Sequence, residues 1–372
     1  MKNTQEGRMR TPIRAIAISA ALAVIAAACG PAAGPGAGTA TSAPTSGGTA
    51  APTATADLAA FYRGKTVTII VGYDAGGGYD TYARTLAAHI GKQIPGNPSV
   101  IVENMPGAGS IKAANHLFAA APKDGTVFGT FGRGLPYTEL IGDPAAQFKS
   151  AQFNWIGSMN DEVSICIVRP DAPVKKFDDL LTTTVKIGAT GPDDDTGFFP
   201  RFLNGALGTK FQLVTGYAGG NDVNLAIERG EVQGRCGFSW SSLVSTRPQW
   251  ADPKNMTILL QMSLAKHPQI PSSVPLILEY AKNDEQKQML EVIFSRQTMG
   301  RPFAAPPGVP ADRVKALRDA FDKTMQDPEF KAAAEKAKQE LNPKGGQAIQ
   351  DVITKIFQTP RPIVDKIKGI LG

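Results

Sequence analysis

The chain has little of what several large function classes require. Its 372 residues include three histidines, three cysteines and three tryptophans, and aromatic residues make up 7%. His89, His116 and His267 stand far apart, with no H-E-x-x-H and no cysteine pair at metal-ligand spacing, so a zinc enzyme or zinc ribbon has no material to work with. Charged residues reach only 19%, and no basic run is interleaved with aromatics, which removes the main signal for nucleic acid. Beyond residue 28 no apolar stretch is long enough to cross a bilayer. Nucleotide loops fail on spacing. In GYDAGGGYDTYAR (72–84) the glycines are followed by Tyr79 and Asp80, where a P-loop needs Lys and Ser or Thr. The dinucleotide fingerprint needs a third glycine, but Gly76 and Gly78 lead to Thr81, and Gly107 and Gly109 to Lys112. GFSWS (237–241) ends in Ser241, where a nucleophile elbow needs glycine.

What is present begins with an export signal at 1–28. Lys2, Arg8, Arg10 and Arg14 form a basic head, followed by the apolar AIAISAALAVIAAA. The small residues before Cys29 resemble the lipobox of bacterial lipoproteins, with alanine in place of the usual leucine. That resemblance implies cleavage before Cys29 and lipidation of its thiol; the alternative is an ordinary signal peptide with a chance cysteine. Residues 29–56 are uncharged up to Ala56 and lack large apolar side chains, so they read as a flexible tether. Removing the signal takes four of 39 basic and one of 33 acidic residues, leaving 35 minus 32, or +3, too little to argue for a polyanionic partner. The remaining roughly 315 residues suggest two domains.

Alternating periods organise this part. KTVTIIVG (65–72) is a β-branched strand, and from Tyr79 to Ile94 a helical stripe runs through Tyr82, Ala83, Leu86 and Ile90. SVIVEN (99–104) and GTVFGTFG (125–132) are further strands, with a helix around 110–120. The beat resumes through EVSICIVR, VKIGAT, FQLVTGY and EVQGRCGFSW, and the tail from Pro310 is mostly helical. Such alternation predicts an α/β chain with largely parallel sheets. Cys166 and Cys236 lie in strand-like segments, where a disulfide and two buried thiols fit equally well.

In open parallel sheets the ligand sits beyond the strands' carboxyl ends, where Gly76, Gly77 and Gly78 fall. Their exposed amides and the helix N-terminus near Asp80 suit an anion, a carboxylate or phosphate; the alternative is a plain glycine turn with Asp80 as helix cap.

Several blocks together then matter. GYDAGGGYDTYARTLA, IPGNPSVIVENMPGAGS, AAPKDGTVFGTF, VTGYAGGNDVNLAIERGEVQG and PPGVPADRVKALRDAFDKTMQDPEF, in that order, resemble the solute-binding receptors of tripartite tricarboxylate transporters, also called Bug proteins, over about residues 60–340. The resemblance implies a periplasmic-binding-protein type II fold, two doubly wound α/β domains joined by two crossovers around a ligand cleft. Domain 1 would be 57–158 plus 264–372 and domain 2 159–263, with NWIGSM and LLQMSL as crossings. It implies capture of a small di-, tri- or aromatic carboxylate and delivery to membrane permease subunits, by a monomer without cofactor, metal or catalysis. Residue by residue, it implies ligand roles for Tyr73, Gly76, Gly77, Gly78, Asp80 and Asn104 on the first domain. Across the cleft it points to Thr190, Gly191, Thr196, Tyr217, Gly219, Gly220 and Asp222; Asp80, Thr196 and Asp222 also suit ordinary helix caps.

Arg133, after the third strand, is a better placed carboxylate fork than Arg201 because a strand's carboxyl end faces the cleft. Asp74 and the run Asp193–Asp195 stand where an anion approaches. The run reads as a solvated, helix-capping cluster; the alternative is a run facing the cleft, offset by a divalent or ligand cation. A sensory receptor signalling to a membrane partner, or a secreted hydrolase, are the competing functions.

Overall fold

The computed structural model describes residues 54–371. The expected signal sequence, Cys29 and the tether up to residue 53 lie outside the described residues. A helix, Ala54–Tyr62, takes in the last three residues of the expected tether.

Two sheets follow. The strands in chain order are β1 Thr66–Val71, β2 Ser99–Asn104, β3 Val127–Thr130, β4 Asn154–Ser158, β5 Ser164–Val168, β6 Val185–Gly188, β7 Phe211–Val214, β8 Gly234–Ser239, β9 Thr257–Met262, β10 Pro302–Ala305 and β11 Lys344–Gly345. The first sheet runs β11-β4-β10-β3-β1-β2 and the second β7-β6-β8-β5-β9. The chain passes from the first to the second after β4 and returns between β9 and β10.

The expectation of largely parallel sheets needs correction. β1 pairs in parallel with β2 and β3, and β6 with β7 and β8, but β10 is antiparallel to β3 and β4, and β5 to β8 and β9. β5, by which the chain enters the second lobe, and β10, by which it returns to the first, run against their neighbours, and β11 is antiparallel to β4. Strand periodicity carries no direction, so the sequence could not show this.

Side-chain alternation fixes which faces are covered. Val67, Ile69 and Val71 of β1 enter one core with Tyr82, Leu86 and Ile90 of the helix Gly78–Ile90, while Ile70 faces another. Fully burying each such side chain contributes about 1.5–3 kcal/mol. The helix stops at Ile90, and Gly91–Gln93 form a 3-10 turn, four residues short of the expected Ile94. The helix Ala311–Gln326 buries Val314, Leu317, Ala320, Phe321 and Met325, the stripe its sequence shows. The C-terminal helix, Arg361–Leu371, packs against Asp195–Leu207, which follows β6 in the second sheet's layer.

Candidate functional site

The loops after β1, β3 and β6, with the helix N-terminus after β7, converge on one cavity of about 60 Å3. After β1, Gly76 turns the chain at φ +79°. Its N–H donates to Asp80 Oδ2 at 2.9 Å, and Asp80 also accepts from Arg84 at 2.8 Å and Asn104 Nδ2 at 2.8 Å. Burial opposes ionisation of Asp80, but the hydrogen bonds from Arg84, the Gly76 amide and Asn104 hold its carboxyl below the usual range. Asn104 Nδ2 also donates to the Tyr73 carbonyl at 3.0 Å. Asp80 and Asn104 thus brace the loop from behind, outside the cavity lining.

Gly77 and Gly78 do line the cavity, beside Tyr73 and Tyr79, whose rings stack 4.7 Å apart. No side chain caps the helix that starts at Gly78. The helix Gly220–Glu228 likewise starts without a side-chain cap, and its Gly220 lines the cavity. Gly219 packs against Asp74 from the other lobe, and Tyr217 and Asp222 line a separate surface groove with Arg229 and Glu231.

The acidic run departs from its expected solvated state. Asp194 is 2% exposed and does cap the helix Asp195–Leu207, accepting from the Thr196 and Gly197 amides and from the Thr190 and Thr196 hydroxyls. Thr190, Thr196 and Asp194 all line the cavity, whereas Gly191 is pressed against Gly109 of the opposite lobe. Burial raises the Asp194 carboxyl to about 6. Asp195 pairs with Arg133 at 2.7 Å and with Arg296 at 3.3 Å, and Asp193 with Arg201 at 3.3 Å. Partners 8 to 101 residues away took the run out of water, which no local pattern reveals.

Arg133 reaches the cavity, yet both its Nη atoms are committed and only Nε is without a partner. Nη2 serves Asp195 and, at 2.8 Å, Ser164 Oγ; Nη1 serves Ser239 Oγ at 3.2 Å and the Gly300 carbonyl at 3.3 Å. Burial is the strongest influence and works against the Arg133 charge, but Asp195, Tyr79, Glu162 and Tyr73 together hold the group above its usual range. Arg201 binds Asp193 and the carbonyls of Pro192 and Leu371, away from the cavity.

Arg235 is the residue the sequence reasoning missed. It is 4% exposed and lines the cavity with Gly237, Phe238 and Ser239 of β8. Nη1 donates to the Gly220 carbonyl at 2.9 Å and Asn224 Oδ1 at 2.8 Å, and the guanidinium lies 4.0 Å from the Phe238 ring centroid. Nε has no partner, Nη2 makes no hydrogen bond, and no ion pair among the described residues involves Arg235. Desolvation lowers it to about 10. The signal was present: arginine in the middle strand of a buried sheet is costly unless something pairs with it.

Elsewhere, His89, Asp327 and Glu329 cluster, but the Lys92 ammonium sits on both carboxylates at 2.7 and 2.5 Å. Cys166 and Cys236 meet across adjacent β5 and β8, where the structure joins their sulfurs.

Over residues 82–368 the chain matches the profile of the tripartite tricarboxylate transporter family receptor, TctC. The chain belongs to that family. As a TctC-family member it is a solute-binding receptor of periplasmic type and not an enzyme. An Agrobacterium vitis protein named for the TAR-I ttuE-ttuC' intergenic region is 34% identical over 160 residues, 41% of this receptor and 45% of that protein, so the match spans less than half of that relative. The periplasmic binding protein BugD superposes with a TM-score of 0.66 at 20% identity, covering 83% of this receptor and 98% of BugD. MatC from Rhodopseudomonas palustris, solved with bound malate, superposes at 0.64 with 18% identity, covering 83% and 99%. At these identities the likeness establishes the fold.

Proposed function

We propose that this receptor captures a small carboxylate-bearing solute between its two lobes and hands it to the membrane permease of a tripartite tricarboxylate transporter. The observation that carries the reading is Arg235, buried in the cavity wall with Nη1 spent on the protein and the Nε–Nη2 edge uncommitted. That edge is the donor pair that grips one carboxylate in a bidentate fashion. Two helix N-termini without side-chain caps, at Gly78 and Gly220, add amides and favourable dipoles. Thr190, Thr196 and Ser242 supply hydroxyls, and Tyr73 and Tyr79 an aromatic wall. The malate bound in the MatC structure, a carboxylate, agrees with this class.

Domain 1, 57–158 plus 264–372, and domain 2, 159–263, close on the ligand, and lipidated Cys29 anchors the receptor at the outer face of the cytoplasmic membrane. Release of a Cys29→Ala variant into the soluble fraction tests the anchor. Calorimetry against mono-, di- and tricarboxylates tests the site. Arg235→Gln should weaken any acid that binds by thirty-fold or more, the loss expected for a charge-assisted bidentate pair of about 2 kcal/mol. Unchanged affinity in that variant would refute the reading.

A further inference from the structure

The charge inventory of the cavity narrows the solute. Four charged side chains line it: Arg133, Asp194, Asp195 and Arg235. Arg133 and Arg296 share the Asp195 carboxylate, at 2.7 and 3.3 Å, and the Arg133 Nη atoms are further taken up by Ser164, Ser239 and the Gly300 carbonyl. Among the described residues Arg235 and Asp194 make no direct ion pair, although the fields of Asp194 and Asp74 support the Arg235 charge. Arg235 has its Nε–Nη2 edge free. Asp194 accepts only from the hydroxyls of Thr190 and Thr196 and the amides of Thr196 and Gly197. Oδ1 takes three of these bonds and Oδ2 only one, from Thr190, so Oδ2 retains room for a further donor.

A second ligand carboxylate finds no other guanidinium edge wholly free among the lining residues, since both Arg133 Nη atoms are taken and only its Nε lacks a partner, and it would face Asp194, a repulsion that a site of low dielectric amplifies. A ligand ammonium meets the opposite situation. It would complete the Asp194 pair, as the ligand carboxylate completes the Arg235 pair, so that neither buried charge stays unmatched.

We infer that the cavity is matched to a zwitterionic amino acid, its carboxylate on Arg235 and its ammonium on Asp194 Oδ2, in preference to a di- or tricarboxylate. The inference rests on the carboxylate-receptor reading above and sharpens it. Length of the amino acid is set by the separation of the two groups, and the aromatic wall of Tyr73, Tyr79 and Phe238 accommodates the apolar part.

The test is titration calorimetry of the purified receptor against matched sets: β-alanine, propionate and malonate; γ-aminobutyrate, butyrate and succinate; ε-aminocaproate, caproate and adipate; with alanine and phenylalanine beside their deaminated acids. The expected result is at least one amino acid bound tenfold or more tighter than both its deaminated and its dicarboxylate counterpart. Asp194→Asn keeps a good helix cap while removing the charge, and should bring that ratio down towards one. A dicarboxylate that binds as tightly as the amino acid throughout the sets overturns the inference and leaves the carboxylate reading standing, as does an unchanged ratio in Asp194→Asn. No binding of any acid overturns both, and Arg235→Gln with undiminished affinity overturns the underlying reading on its own.

Discussion

Arg133 and Asp195 are joined across the cleft at 2.7 Å, and the same carboxylate reaches Arg296 at 3.3 Å. Arg133 follows β3 of the first sheet, Asp195 opens a helix of the second lobe, and Arg296 lies on the return path between the sheets. One acid thus bridges two fully buried guanidiniums from different elements, and the Arg296 plane is further covered by the Tyr137 and Phe198 rings, 4.1 and 4.3 Å away.

Replacing Asp195 with Ala should therefore be far more damaging than losing a surface acid. Two buried arginines would stand without their counter-ion, and breaking a buried pair costs about 3–5 kcal/mol. The exposed pair Lys315–Asp319 is the control, since Asp319→Ala should cost no more than about 0.5 kcal/mol. Urea denaturation of both variants measures the contrast; a loss below about 1 kcal/mol in Asp195→Ala would show that the guanidiniums find other partners.

How much of this was legible in the sequence depended on whether the deciding interaction was local. SVIVEN forms the strand Ser99–Asn104, and the helix Ala311–Gln326 starts and stops where its stripe does, because period and caps act within one element. Gly77, Gly78 and Thr190 fall on the cavity because strand ends lead there by topology. Asp193–Asp195 was misread as solvated since its counter-ions Arg201, Arg133 and Arg296 arrive from elsewhere in the chain. Arg235 went unnoticed although it lies in the expected strand EVQGRCGFSW, because nothing local shows that β8 is central in its sheet or that both Arg133 Nη atoms are taken.

Acidity should separate the buried carboxyls from the rest. Burial lifts both Asp194 and Asp74 from 3.8 to about 6, with Asp222 adding to the rise at Asp74. A carboxyl whose folded value is raised holds its proton more tightly in the folded state. Its stabilising contribution is therefore fully present below about pH 4 and lost as pH rises through about 6. For Asp194, which is fully buried, the rise corresponds to at most about 3 kcal/mol. Asp194→Asn should accordingly gain more over the parent receptor at pH 7.5 than at pH 4.5, measured by urea denaturation without ligand. Equal differences at both pH values would contradict a raised Asp194.

The cysteine pair makes a chemical prediction. Denatured, unreduced receptor, freed of Cys29, should show no titratable thiol if Cys166 and Cys236 are bonded, and two if they are not. They stand 70 residues apart, and a loop of that length closed in the unfolded chain is worth about 4 kcal/mol by the chain-entropy model. Reduction should lower the melting temperature by the matching amount. Two free thiols before reduction would remove the pairing and its stabilisation together.

Closure itself can be probed at Gly78. Its φ is not in the left-handed region, so alanine there meets no backbone strain, and at the start of a helix it is locally favourable. What a methyl group meets first is the other lobe, the Ser242 hydroxyl in direct overlap and Ser242 Cβ at 2.8 Å, and then Arg301 Nη2 of its own lobe at 3.2 Å. Gly78→Ala should then leave each lobe's fold intact while preventing the lobes from meeting, so ligand affinity falls tenfold or more and the unliganded unfolding midpoint hardly moves. Ser242→Gly removes both overlapping atoms, and the double variant should recover most of the lost affinity, a coupling that independent sites would not show. Two losses that simply add would place the Gly78 effect in the ligand contact; recovery in the double variant places it in the closing of the cleft.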